Sequence, residues 1–318
     1  MCRIPPARRF MGLSTSLTAS GQAVIIWLDC DEDWVCLQQD LKQEDCMAEQ
    51  LDISTKNCTV EREGHILIVT LNRPEAKNAL SPSMLVGMYK AWRLLDKDDD
   101  LYCCVLTGKG DTFCAGMDLK AGPAGGDDAE EIQRLMVDVP NLHWQALLRE
   151  NRPNKPLILA VEGYALAGGT EILQGTDIRV GAEDAVFGVT EVIRGLYPMA
   201  ASAIRLRRQI PYCLAAEILL LGRRISAQEA LNWGLINRVV PKGKALDEAL
   251  KIAHQLCENA PISLRAITRT LREIDESVPE AEALQRQDEI GAPIFATEDS
   301  KEGMRAFKEK RKPIYKNR

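Results

Sequence analysis

From residue 58 onward, apolar positions fall into short runs set apart by glycine, proline or polar clusters. Residues 59–63 and 65–71 are rich in β-branched side chains and flank Gly64, which predicts a hairpin. Asn72-Arg73-Pro74 closes the second run, because proline cannot donate to a ladder. Ser81 then stands as an N-cap with Pro82 in the first turn, and apolar residues recur at helical spacing through Leu95. Residues 102–107 read as a buried strand closed by Gly108, residues 129–150 as one helix, and residues 157–161 as a second buried strand introduced by Pro156. Gly168 and Gly169 open a short helix, and residues 177–180 and 185–187 add strands. From Ala200 the chain reads as mostly helical, with breaks near Pro211, Gly222, Gly234 and Pro261. Strands alternating with helices, ahead of a helical tail, predict an α/β core with a C-terminal helical cap.

Composition narrows the function classes. The 318 residues are 46% apolar and 27% charged, as in soluble globular proteins. A net charge of −6 argues against a dedicated nucleic-acid binder, and no apolar run approaches the roughly 18 residues that span a bilayer. The ten cysteines show no CxxC spacing and there are only three histidines, so a metal site has no support. Cys103 and Cys104 lie in an apolar run and read as core, and free thiols in a reducing compartment fit best. Residues 1–57 differ from the rest. Arg3, Arg8 and Arg9 with Ser/Thr and no acid before Asp29 resemble a mitochondrial presequence, and Met47 offers a later start. The expectation is a poorly packed extension over 1–57, with a cytoplasmic location, or the mitochondrial matrix if the extension is a transit peptide.

Two strand ends lead into small-residue loops: Phe113-Cys114-Ala115-Gly116-Met117-Asp118-Leu119, and Gly163-Tyr164-Ala165-Leu166-Ala167-Gly168-Gly169-Thr170-Glu171. Glycine and alanine let a ligand approach main-chain N–H groups. Donors from two loops that converge on one point would stabilise an enolate oxyanion. Taken singly, each loop reads as a tight turn packing helix on strand. Neither carries a GxGxxG or GxxxxGK[ST] pattern, which removes the usual nucleotide readings.

These loops carry a resemblance. The first is similar to the AG-x-D-[LI] segment of the crotonase (enoyl-CoA hydratase/isomerase) superfamily. The second resembles its G-x-x-x-G-G-G-x-E segment, with Ala167 in place of the first glycine of the triplet. Asn72-Arg73-Pro74 with Asn78-Ala79-Leu80, and Phe307-Lys308-Glu309-Lys310-Arg311, match further family segments in order. The resemblance covers about residues 58–318. It implies an α/β fold with a crotonase-like ββα spiral core over 58–255 and a helical trimerisation region over 256–318, assembled as a homo-trimer or dimer of trimers. It implies oxyanion donors at the backbone N–H groups of Met117 and Gly168, and catalytic carboxylates at Glu171 and Glu191. Coenzyme A would run past Ala76, Lys77, Ala115, Asp118 and Leu119, and meet Phe307 and Lys310 from a neighbouring subunit at its nucleotide end. CoA belongs to the acyl-CoA thioester substrate, so no separate cofactor is implied, and neither nucleic acid nor membrane is an expected partner.

The fold alone does not choose the reaction, since one fold hosts many chemistries. Hydration needs one group to activate water for attack at Cβ and another to deliver a proton to Cα. Two carboxylates around one water can do both if their surroundings separate their pKa values. Glu171 follows Gly168 by one helical turn, and Glu191 precedes Val192-Ile193, which suggests an apolar neighbourhood. The pair predicts an enoyl-CoA hydratase, with Glu191 as proton donor and Glu171 positioning and deprotonating water. Either acid alone reads as a helix-dipole partner or a surface charge. An isomerase or acyl-CoA hydrolase of the same fold, or a non-catalytic CoA-binding trimeric scaffold, is the alternative. Pro198-Met199-Ala200-Ala201-Ser202 departs from the usual glycines and is expected to narrow the space near Glu191. The same stretch, with residues 171–180, looks like a bacterial subgroup that includes mycobacterial enzymes of steroid side-chain breakdown, which suggests a bulky acyl group. Residues 122–128 read as a mobile loop over the entrance, and His143 and Trp144 as packing.

Overall fold

The structure, a computed structural model, describes residues 48–118, 129–274 and 277–318. The loop expected over 122–128 and most of the N-terminal extension lie outside the described residues. β1 (Glu49–Gln50) pairs antiparallel with β2 (Cys58–Glu63), and β2 pairs with β3 (Ile66–Leu71) around Gly64, where φ is +55°. The ladder thus begins inside the stretch read as an unpacked extension. Leu51 and Ile53 explain this: both pack against the core, and the Leu51 N–H donates to the Val60 carbonyl at 2.8 Å.

α1 (Pro82–Lys97) starts where expected, with the Ser81 side chain accepting from the Met84 N–H at 3.3 Å. β4 (Cys103–Gly108) runs parallel to β3. The helix predicted over 129–150 is instead two, α2 (Ala129–Asp138) and α3 (Leu142–Ala146). Pro140 lacks an N–H and disfavours a helical residue before it, and Asn141 takes φ +56°, so the chain turns there. β5 (Leu157–Val161), β6 (Tyr164–Leu166), α4 (Gly168–Leu173), β7 (Ile178–Ala182) and β8 (Val186–Gly188) follow. Next come a 3-10 turn at Glu191–Arg194, α5 (Ser202–Gln209), α6 (Tyr212–Leu221), β9 (Arg224–Ser226), α7 (Ala227–Asn232) and β10 (Arg238–Val240). α8 (Ala245–Cys257), α9 (Pro261–Glu273), α10 (Glu280–Gly291) and α11 (Glu298–Glu309) complete the helical region expected at the C-terminus. β6, β9 and β10 were not legible as strands; each has only three residues.

The main sheet has the order β1-β2-β3-β4-β5-β7-β10, parallel from β3 onward, and β6-β8-β9 form a second sheet. β4 and β5 are buried on both faces, which is why they read as unbroken apolar runs. Alternation sends Cys103, Val105, Ile158 and Ala160 toward α8, and Cys104, Leu106, Leu157 and Leu159 toward α1 and Phe113. The C-terminal ends of β4 and β5 deliver the two small-residue loops.

Candidate active site

Asn78 fastens the first loop. It is wholly buried at φ +49°; its Oδ1 accepts the Arg73 N–H at 2.7 Å, and its Nδ2 donates to the carbonyls of Lys109 (2.9 Å) and Thr112 (2.6 Å). Leu80 and Lys77 extend the clamp. The Leu80 N–H donates to the Gly116 carbonyl at 2.9 Å, and the Ala115 N–H donates to the Lys77 carbonyl at 3.1 Å. The Asp118 carboxylate accepts from Arg73 Nη1 at 2.5 Å, an ion pair that helps hold the loop in place.

The second loop runs beside the first through bridges Thr112–Gly163 and Cys114–Ala165. A Cβ on Gly116 (φ +96°) would lie 2.8 Å from the Ala167 methyl and 3.4 Å from the Gly168 nitrogen. A Cβ on Gly168 would lie 3.8 Å from the Met117 nitrogen. The N–H groups of Met117 and Gly168 are therefore neighbours in a gap that only glycine leaves open. Among the described residues neither donates to a main-chain carbonyl. Ala167, where the resemblance expected glycine, sits at φ +51°, ψ −120°, a conformation costing a side-chain-bearing residue on the order of 1–3 kcal/mol.

α4 is buried along its whole length and carries Glu171 beneath this gap, 4% exposed. Burial first, then the neighbouring Glu191 charge, push Glu171 up to about 7. Opposing this, its Oε1 accepts the Ser202 N–H at 3.3 Å, and the Ala200 N–H and Ser202 hydroxyl also favour the ionised form. Gln174 Nε2 donates to Ser202 Oγ at 2.8 Å and fixes that partner. Burial also raises Glu191, whose Oε2 is buried and has no hydrogen-bond partner. Two expectations change here. Val192 and Ile193 are exposed (43% and 66%), so they do not provide the apolar surroundings of Glu191 in the single chain. The stretch 198–202, expected to wall in Glu191, supplies donors to Glu171. Ser202 was missed; a serine opening a helix after a non-helical stretch was the available signal.

Ala76 and the exposed Lys77 lie on the rim beside half-buried Ala115, with Lys77 Nζ 5.7 Å from the Tyr164 ring centroid. Leu119 lies outside the described residues. Phe307, 75% exposed, and Lys310 sit at the end of α11, and no described contact brings them to the glutamates. Part of the basic tail is already paired: Arg311 with Glu302 and Glu309, Lys312 with Glu258 at 3.3 Å. The His143 and Trp144 rings lie tilted at 51° with centroids 4.2 Å apart, and Trp144 packs against the core. No helix among the described residues is long and apolar enough to cross a membrane.

Residues 61–318 match the family described as Enoyl-CoA hydratase/isomerase. The enoyl-CoA hydratase EchA19 of Mycobacterium tuberculosis is 51% identical over 271 residues, spanning 83% of this chain and 98% of its own length. The 2,3-dehydroadipyl-CoA hydratase of Escherichia coli is 35% identical, over 81% of this chain and 98% of its own length. A crystal structure of an enoyl-CoA hydratase from Mycobacterium tuberculosis, 39% identical, superposes with a TM-score of 0.74 over 82% of this chain and 99% of that one.

Proposed function

This chain belongs to the enoyl-CoA hydratase/isomerase family and has the crotonase fold, and from that premise we propose the reaction and the part each residue plays in it. It is an enoyl-CoA hydratase, a hydro-lyase that adds water to a trans-2-enoyl-CoA to give a 3-hydroxyacyl-CoA. The thioester oxygen sits between the N–H groups of Met117 and Gly168. Each donor aimed at developing enolate charge is worth roughly 3–4 kcal/mol in the transition state. Water lies between Glu171 and Glu191; Glu171 positions and deprotonates it, and Glu191 delivers a proton to Cα.

The observation that carries this reading is the placement of Glu171, buried on α4 one turn after Gly168, where the charge of Glu191 is felt and raises it. Coupled groups hold their proton as a pair. Burial and charge repulsion favour it on Glu171. The three donors to Glu171 favour the opposite arrangement, and a buried Glu191 oxygen without a donor is better tolerated neutral. No cofactor beyond the CoA of the substrate is required. The protein works in the cytoplasm and assembles as a trimer or dimer of trimers through its C-terminal helices. In support, Ile267, Leu271, Leu284, Phe295, Met304 and Phe307 are all exposed in the single chain.

Mixing the purified protein with crotonyl-CoA should bleach the enoyl-thioester absorbance and yield 3-hydroxybutyryl-CoA. Unchanged absorbance with short, long and bulky enoyl-CoAs alike would overturn the hydratase reading in favour of isomerase, hydrolase or scaffold. Light scattering should give three or six times the chain mass.

A further inference from the structure

Away from the reaction loops, two thiols meet across an element boundary. Cys103, the first residue of β4, and Cys257, the last residue of α8, have their sulfurs 4.0 Å apart and in S–H contact. Both are free, Cys103 buried and Cys257 half-buried. The alternation of β4 makes the pairing selective: Cys103 faces α8, while its neighbour Cys104 points to the opposite face with Cys58. α8 packs along β4, β5 and β7, so the two thiols are held together by the fold and not by a mobile segment. A disulfide brings its sulfurs to about 2 Å, so the two must close by about 2 Å more.

We propose that Cys103 and Cys257 form a reversible oxidation site, closed to a disulfide by a small-molecule disulfide oxidant, which staples α8 to the β4 edge of the sheet. Cys257 is the reachable member. Its thiolate attacks the oxidant and releases one thiol, giving a mixed disulfide. Cys103 then loses its proton, attacks the Cys257 sulfur and releases the second thiol. The protein loses two protons and two electrons, and the oxidant takes both as two thiols. Burial sets the order of events: Cys257 is half-buried and within reach of the oxidant, whereas Cys103 is buried, which places the first attack on Cys257.

The test uses the full chain incubated with oxidised glutathione, blocked with iodoacetamide, digested with trypsin and read without reduction. The expected product joins the peptide of residues 98–109 to that of 252–265, with fragmentation placing the bond on Cys103 and not Cys104. It should disappear on adding dithiothreitol and be missing from Cys257→Ser. Recovery of Cys257 only as its glutathione adduct or alkylated form, or a bond to Cys104 or any other cysteine, would overturn the proposal. The readout does not involve hydration of a thioester.

Discussion

Glu171 and Glu191 are held by two different kinds of structure. Around Glu171 every residue of α4 is buried, and three donors from the 200–202 stretch converge on its carboxyl. Around Glu191 the chain is a 3-10 turn whose following residues Val192, Ile193, Leu196 and Tyr197 are exposed, and the buried Oε2 has no donor. The difference separates two tasks. In the proposed roles the base is the carboxyl built into the core, where donors from residues 200–202 partly offset the burial that raises it. The proposed acid sits on a lightly packed turn, raised by burial with only its own main-chain N–H opposing.

This contrast can be tested in steps of decreasing size. Glu171→Gln or Glu191→Gln should each lower kcat for crotonyl-CoA by about 10²- to 10⁴-fold with KM little changed. Near-native turnover in either variant removes that residue from the pair. The next effect separates the two sites by stability. Glu171, raised from its ordinary value of 4.5 to about 7, binds its proton more tightly when folded, so its contribution is fully present below about pH 4.5 and lost as pH rises through 7. Denaturant unfolding of the wild type should lose up to about 3 kcal/mol over that window relative to Glu171→Gln. A wild type and variant that track each other across pH 4.5–7 would place Glu171 in ordinary solvent.

Two matched glycine substitutions come next. A Cβ on Gly169 would lie 2.6 Å from the Cys114 carbonyl oxygen, so Gly169→Ala should cost about 1–3 kcal/mol and lower kcat by separating the loops. Gly195, at φ +68° with nothing within 4 Å of its Cβ, should cost about 1–2 kcal/mol as alanine and act through backbone strain alone. Equal kcat for the two variants would erase the distinction between the regions. Smallest of all, Leu196→Ser should shift thermal stability by under about 0.5 kcal/mol, because Leu196 is 49% exposed. A larger loss would mean that something covers this turn.

The sequence made β2 to β5, β7, β8 and both loops legible because glycine, proline and β-branched runs mark them locally. It could not show that Pro140 divides a helix whose apolar spacing continues past it, or that Leu51 and Ile53 find the core. Tertiary pairing hid the rest. The pairing of Asp118 with Arg73 is not visible in the letters. Stretch 198–202 looks like a wall for Glu191 until its N–H groups are seen to reach Glu171. Val192-Ile193 looks like an apolar shelter in the letters, yet both side chains face outward.

The most direct test of the central claim compares crotonyl-CoA hydration by Glu171→Gln, Glu191→Gln and the double variant. If the two carboxyls share one water and one proton, removing both costs about as much as removing either, because half a unit does little work. A double-variant loss equal to the product of the single losses would show two independent groups and contradict the account.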